Sequence, residues 1–175
     1  ESRSTVTLGE LMPLWWGEER YKVEDISYRR AECSDAALLV DIYDRAFRSD
    51  YLRYGECPAY GRTVERMEYS IQNYPKELIM CGDVPVGVIS AEDKGNGAYH
   101  IGCLCVVPEY QCRGIGGRAI EHFRHMHPDW RQIDLVTPAD KQDNIAFYKK
   151  NGFVLAGTEM DGNVLVAKLF CEKKP

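Results

Sequence analysis

Val106-Val107-Pro108-Glu109-Tyr110-Gln111-Cys112-Arg113-Gly114-Ile115-Gly116-Gly117-Arg118 joins a strand-type run to a helix-type one through glycines. Beyond it Ile115, Ala119, Ile120, Phe123 and Met126 recur at helical spacing until Pro128. The first N–H groups of such a helix have no partner within the helix and point outward together. With the helix dipole they form an anion site that suits a pyrophosphate. Gly114 and Gly116 allow close approach of backbone to a ligand, since a side chain there would block it. Arg113 and Arg118 add charge at the rim. The plainer alternative is a glycine-rich turn that only tightens the packing of strand against helix.

Working outward, Ala98–Val107 precedes this stretch as a strand, and Asn96-Gly97 ahead of it suits a type I′ hairpin. Leu78–Cys81 and Val84–Ala91 are two further strands joined through Gly82-Asp83. Upstream, Ile26–Arg29 alternates as a short strand, and Ser34-Asp35 caps a helix that ends near Ser49. A second helix lies within Thr63 to Asn73, stopped by Pro75. Downstream, Ile133–Val136 is a buried-type strand, and Asp140 or Asp143 opens a short helix ending at Asn151-Gly152. Phe153–Glu159 and Val164–Phe170 close the chain as a hairpin. The order β-α-α-β-β-β-α-β-α-β-β predicts an α+β (mixed α/β) domain built on one largely antiparallel sheet flanked by helices.

The chain has 175 residues, 45% hydrophobic and 11% aromatic, enough for one domain with a real core and too aromatic for a disordered chain. No apolar run approaches the roughly 18 residues of a membrane-spanning helix. Leu11–Trp16, broken by Pro13, is a poor signal-peptide core. The expectation is a soluble, cytoplasmic protein with no membrane partner. A net charge of -5 weighs against nucleic acid, whose binding needs a basic surface. Seven cysteines show no disulfide-framework spacing. Cys103 and Cys105 share one face of their strand as reduced thiols, and no metal site is expected. Residues 1–25 read as an N-terminal appendage packing its tryptophans on the 26–175 domain. A substrate lid, or a contact within a homodimer, is the sharper alternative for that segment.

Gly114-Ile115-Gly116-Gly117-Arg118-Ala119 formally satisfies the G-x-G-x-x-A form of the dinucleotide fingerprint, with Asp134 near the distance of a ribose-binding acid. That fingerprint follows the first strand of a fold with several further βαβ units, and too little chain remains here for them. Gln111-Cys112-Arg113-Gly114-Ile115-Gly116 instead resembles the acetyl-CoA signature Q/R-x-x-G-x-G/A of the GNAT superfamily of N-acetyltransferases. Leu104-Cys105-Val106 followed by Pro108-Glu109-Tyr110 resembles that family's splayed fourth strand and its turn. Asn144 through Phe153 resembles its late helix and following strand. The three motifs stand in register, and the resemblance covers about residues 26–170.

The resemblance implies a GNAT-like domain with a splayed sheet, using acetyl-CoA as cosubstrate. It implies that the pantetheine arm adds along the backbone of Leu104, Cys105 and Val106. The pyrophosphate would lie on the loop Gln111, Cys112, Arg113, Gly114, Ile115, Gly116, Gly117 and Arg118. The acceptor amine of a small molecule or peptide would attack the thioester directly in a ternary complex, with a backbone N–H near Val106 polarising the carbonyl. Tyr148 is the family-matched donor to the departing sulfur, since a phenol stays protonated at neutral pH. Many members carry an asparagine where Lys141 stands; Asn144, one turn later, is the candidate substitute for that contact with the cofactor. His100 shares a strand face with Gly102, Leu104 and Val106 by simple alternation and is the candidate base, or a histidine satisfied within the sheet. The cluster His122, His125 and His127 reads as solvated helix surface. Tyr51, Tyr54, Tyr60, Tyr69 and Tyr74 with Asp50, Glu56, Glu65 and Glu68 hint at a cationic acceptor. A CoA-binding module without turnover, or a dinucleotide-dependent enzyme, is the alternative.

Overall fold

The computed structural model describes residues 25–174. The expected appendage, residues 1–25, lies outside the described residues except for its last residue. Eleven main elements follow in the expected order. They are β1 (Ile26–Arg30), α1 (Ala36–Tyr54), α2 (Val64–Asn73), β2 (Lys76–Cys81), β3 (Val84–Gly95), β4 (Ala98–Val106), α3 (Ile115–Met126), β5 (Gln132–Pro138), α4 (Gln142–Lys150), β6 (Val154–Asp161) and β7 (Val164–Glu172). Single 3-10 turns at Cys33–Asp35 and Pro108–Tyr110 precede α1 and α3.

Among the described residues the strands form one seven-stranded sheet in the order β1-β2-β3-β4-β5-β7-β6. Every pairing is antiparallel except β4 with β5. That single parallel contact rules out the open parallel sheet that a dinucleotide fingerprint requires. The β3–β4 turn has the expected chemistry, with Asn96 and Gly97 at φ 55° and 77°. On one face α1 contributes the buried Leu39, Ile42 and Tyr43. On the other, Phe123 of α3 packs edge-on against Tyr99 of β4, with ring centroids 5.4 Å apart. Among the described residues no helix is long and apolar enough to cross a membrane. The seven cysteines are free thiols.

Two local expectations change. Asp35 does not cap α1: its carboxylate turns back, accepting from the Glu32 N–H at 2.8 Å and pairing with Arg29. The Arg29 guanidinium holds that carboxyl below the usual aspartate range. Helix α1 also runs past Ser49 to Tyr54, ending on Gly55 at φ 75°, whose N–H reaches the Tyr51 carbonyl. Its last turns are anchored from outside the helix. Tyr54 donates to Asp140 at 2.6 Å, Arg53 pairs with the same carboxylate at 2.7 Å, and Lys141 pairs with Asp50.

Candidate active site

The sheet opens between β4 and β5. Only Ala98, Tyr99 and His100 pair with β5, through Gln132, Ile133 and Asp134. Both strands continue beyond those pairs, and β5 remains bound to β7 as far as Pro138. From Ile101 onward one edge of β4 therefore has no neighbouring strand among the described residues, and this is the expected splay. Val107 N–H donates to Val86 on the β3 side at 2.8 Å. Backbone groups alternate between the two edges of a strand, so Leu104 and Val106 turn theirs to the open side. There the Val106 carbonyl accepts from Gln111 Nε2 at 2.8 Å. Gln111 thus ties the loop to the strand end, while the Val106 N–H and the Leu104 groups remain available to an added extended chain.

The loop after β4 has the geometry of an anion cradle. Cys112 and Gly114 both adopt positive φ, 58° and 77°, and a Cβ on Gly114 would meet nothing within 4 Å. Gly114 is therefore required for its backbone conformation, since side-chain-bearing residues enter that region only at a cost. The first bond of α3 runs from Arg118 N–H to Gly114 at 3.1 Å. The N–H groups of Ile115, Gly116 and Gly117 are left without an intrahelical acceptor at the positive end of the dipole. The Ile115 side chain is core, so its backbone alone serves the cradle.

Gly116 and Gly117 do not make room for a ligand. A Cβ on Gly116 would lie 3.0 Å from Phe147, and one on Gly117 would lie 3.1 Å from Asn151. Their bareness lets α3 press against α4, so the plainer packing alternative holds for these two. Arg113 also departs from expectation. Its guanidinium donates to the Glu109 carbonyl at 2.7 Å and lies over the Tyr110 ring, away from the cleft wall.

Two cavities meet at the splay. A cleft of about 1310 Å³ runs from Leu104, Cys105 and Val106 past the Gln111–Arg118 loop to Asn144 and Tyr148. Asn144 faces it while donating to the Thr137 hydroxyl at 3.1 Å. Lys141 lines the same wall, committed to Asp50. The Tyr148 ring stands edge-on to Phe147 and Phe153, at 5.0 and 5.6 Å. Burial raises its hydroxyl well above the usual phenol range, and the nearby Cys103 and Cys105 thiols add to the effect. Its proton is therefore held firmly at any physiological pH. Tyr28, which sequence reasoning passed over, also lines the cleft. Its hydroxyl is buried without a hydrogen-bond partner among the described residues. Its ring stacks on His122 at 3.7 Å, and His122 contacts Glu77 at 3.1 Å, so His122 is not solvated surface.

The second cavity, about 630 Å³, lies between α1, α2 and the sheet. His100 faces it, but not on the strand face expected from alternation. Ser90 pairs with Cys103 while Ala91 pairs with Ile101, so Gly102 is an extra residue in β4. Directly opposed residues share a face. Ser90 and Glu92 share one face of β3, so their partners Cys103 and His100 share one face of β4. Leu104 and Val106 face the other way, and the bulge at Gly102 is the reason. Cys103 and Cys105 keep their common face as expected.

His100 Nδ1 contacts the Asp134 carboxylate, its partner across the parallel pair. An ionised carboxylate only accepts, so Nδ1 is the donor, and in the neutral ring this leaves Nε2 as the acceptor. Asp134 thus orients a histidine, a role its position in the sequence did not disclose. Of the residues behind a cationic-acceptor reading, Asp50, Glu56, Tyr54 and Tyr74 line this cavity, whereas Tyr51, Tyr60, Tyr69, Glu65 and Glu68 do not.

Comparison with known proteins agrees with this geometry. Residues 76–155 match the family model described as an acetyltransferase (GNAT) domain. No curated protein matches the chain in sequence. Among solved structures, an acetyltransferase from Thermus thermophilus superimposes with a TM-score of 0.70 at 20% identity, covering 86% of this chain and 99% of its own. A chimera of the Vibrio cholerae spermidine N-acetyltransferase SpeG and hSSAT gives 0.68 at 14% identity, over 84% and 95%. An aminoglycoside acetyltransferase in complex with coenzyme A gives 0.67 at 15% identity, over 85% and 95%.

Proposed function

We propose that this chain, whose residues 76–155 match the acetyltransferase (GNAT) domain model, belongs to that superfamily and transfers an acetyl group from acetyl-CoA to the amine of a small molecule held between α1, α2 and the sheet. The observation that carries this reading is the junction of two cavities at one splayed strand. An open backbone edge and an anion cradle lie on one side of it, and an oriented histidine lies on the other.

The residues present fit acetyl-CoA. The Leu104 and Val106 backbone accepts an amide-bearing arm as an added strand would be accepted. The N–H groups of Ile115, Gly116 and Gly117 suit a pyrophosphate. Bound there, acetyl-CoA supplies an activated acyl group, so that the acceptor nitrogen bonds to the carbonyl carbon as the carbon–sulfur bond breaks. A backbone N–H at the open edge polarises the carbonyl from a fixed position, with no reorganisation during reaction. His100 takes the surplus proton of the amine through Nε2 while Asp134 fixes the ring. Tyr148 steadies the departing sulfur. Because burial holds the phenol proton more tightly than an ordinary thiol with pKa near 8.5 would, Tyr148 acts as a hydrogen-bond donor and the thiolate takes its proton from solvent.

The test is calorimetric titration with acetyl-CoA followed by thiol release across an amine panel. One-site binding with amine-dependent thiol release is expected. Binding without release for any amine identifies a CoA-binding module, and no binding refutes the reading.

A further inference from the structure

We propose that the acceptor is a small amine carrying a carboxylate, and that Lys76 and Arg62 hold that carboxylate in the acceptor cavity; this rests on the acetyl-transfer reading above. Lys76 is only 4% exposed, at the start of β2 on the cavity wall. Its ammonium has the Ser90 hydroxyl at 3.3 Å and the Tyr74 ring at 6.0 Å. That hydroxyl already donates to the Pro75 carbonyl at 3.0 Å, so it meets Lys76 through a lone pair. Among the described residues no carboxylate lies within ion-pair distance of Lys76, and the neighbours that bear on its charge are Cys103 and a second cation, Arg62. Arg62 lines the same cavity, donates to the Pro58 carbonyl at 2.8 Å and lies over the Tyr43 ring. It too forms no ion pair with a carboxylate among the described residues.

The acids around the cavity are committed elsewhere. Asp50 is paired with Lys141, and Glu92 with Lys94 at 2.7 Å. Glu56 accepts from the Asn163 N–H at 2.7 Å. Asp161 is exposed at the rim. Lys76 and Arg62 are therefore the cations of the cavity wall that no carboxylate among the described residues pairs with, and a buried cation is costly unless an opposite charge meets it. Burial lowers the Lys76 pKa, the mark of an ammonium lacking such a partner. A ligand carboxylate is the group that fills the role.

Register sets the scale of the molecule. Lys76, Ser90 and Cys103 stand opposite one another across β2, β3 and β4. Strands lie about 4.8 Å apart, so the Lys76 backbone is about 10 Å from the β4 backbone. An amine beside His100 and a carboxylate at Lys76 are thus one small molecule apart, with Tyr43, Phe47 and Tyr74 against its apolar middle. A polyamine would instead set a second ammonium against two cations.

The test is calorimetric binding in the presence of CoA, which needs no turnover. Probes are matched pairs: L-phenylalanine against L-phenylalaninamide, and 5-aminopentanoate against 1,5-diaminopentane, extended to the remaining amino acids and their amides. An acid preference of at least tenfold is expected in the best pair, falling to about one in Lys76→Met and reduced in Arg62→Gln. Arg62 is partly exposed, so its variant guards against misfolding at Lys76. No acid preference anywhere in the panel overturns the proposal, as does a preference that survives both substitutions. Thiol release separates the two readings. Turnover of diamines with inert acids sinks the carboxylate site and leaves acetyl transfer standing. Lys76-dependent acid binding without thiol release from any amine does the reverse.

Discussion

Lys76→Met is expected to make the ligand-free protein more stable at pH 7. The ammonium is buried with one hydrogen bond, 3.3 Å from a neutral hydroxyl, and no carboxylate among the described residues. Holding a charged group so poorly paired costs about 1–3 kcal/mol, and the hydrogen bond returns about 1. Methionine keeps an unbranched apolar stem of similar reach, so packing changes little. Ser90 is not orphaned, because its hydroxyl still donates to Pro75. The net gain is about 0–2 kcal/mol, which for a domain of this size raises Tm by up to about 6 °C. The pH dependence fixes the cause. The Lys76 pKa is lower folded than unfolded, so between those two values the unfolded state holds more protons and stability rises with pH. The penalty is complete below the folded value and fades as pH climbs toward the ordinary lysine value of 10.5. Thermal unfolding followed by circular dichroism at pH 7 and pH 10 is the assay, with the variant's advantage largest at pH 7. A variant less stable than wild type at pH 7, or a gap that does not narrow toward pH 10, refutes the reasoning.

Other substitutions probe the transfer machinery. Tyr148→Phe removes one donor to the departing sulfur; kcat should fall about 10²-fold with acetyl-CoA affinity intact by calorimetry. An unchanged kcat retires the role. His100→Gln should lower kcat/KM about 10²-fold at neutral pH, with the deficit shrinking as pH rises and the amine sheds its own proton. A pH-independent deficit would point to a structural role instead. Gly114→Val forces a branched residue to φ 77° and should weaken acetyl-CoA binding at least tenfold. Arg113→Ala, whose guanidinium is turned to Glu109 and Tyr110, should leave that affinity within about twofold on the exposed-site scale. Equal losses in the two would show that Arg113 swings into the cleft.

Patterns of short range carried most of the architecture. The glycine-opened helix after β4, the Asn96-Gly97 turn and the stop at Pro128 each act within a few residues, so their chemistry is visible in the string itself. Element order followed from them, and the splay of the sheet from the resemblance of Leu104-Cys105-Val106 and the turn after it to the family's fourth strand. Long-range partners were not visible. Alternation along β4 put His100 with Leu104 and Val106. The extra residue at Gly102 reverses that, and a bulge is set by how β3 and β4 register, not by either strand alone. Gly116 looked like room for a ligand because both readings demand glycine; only the packing of Phe147 decides between them.

What the sequence determined by itself is the class of domain and a candidate anion cradle at the start of α3, both written in local backbone preference and hydrophobic period. The candidacy of Tyr148 came from the resemblance of its helix to the family's late helix. What tertiary structure decided is which charges meet. Asp134 faces His100, Lys141 takes Asp50, Arg113 turns away, and Lys76 is buried on a cavity wall shared with Arg62, with no acid paired to it among the described residues. Electrostatic partnership depends on distance and solvent exposure in three dimensions, and chain separations of 34 residues for His100–Asp134 and 91 for Lys141–Asp50 carry no trace of either.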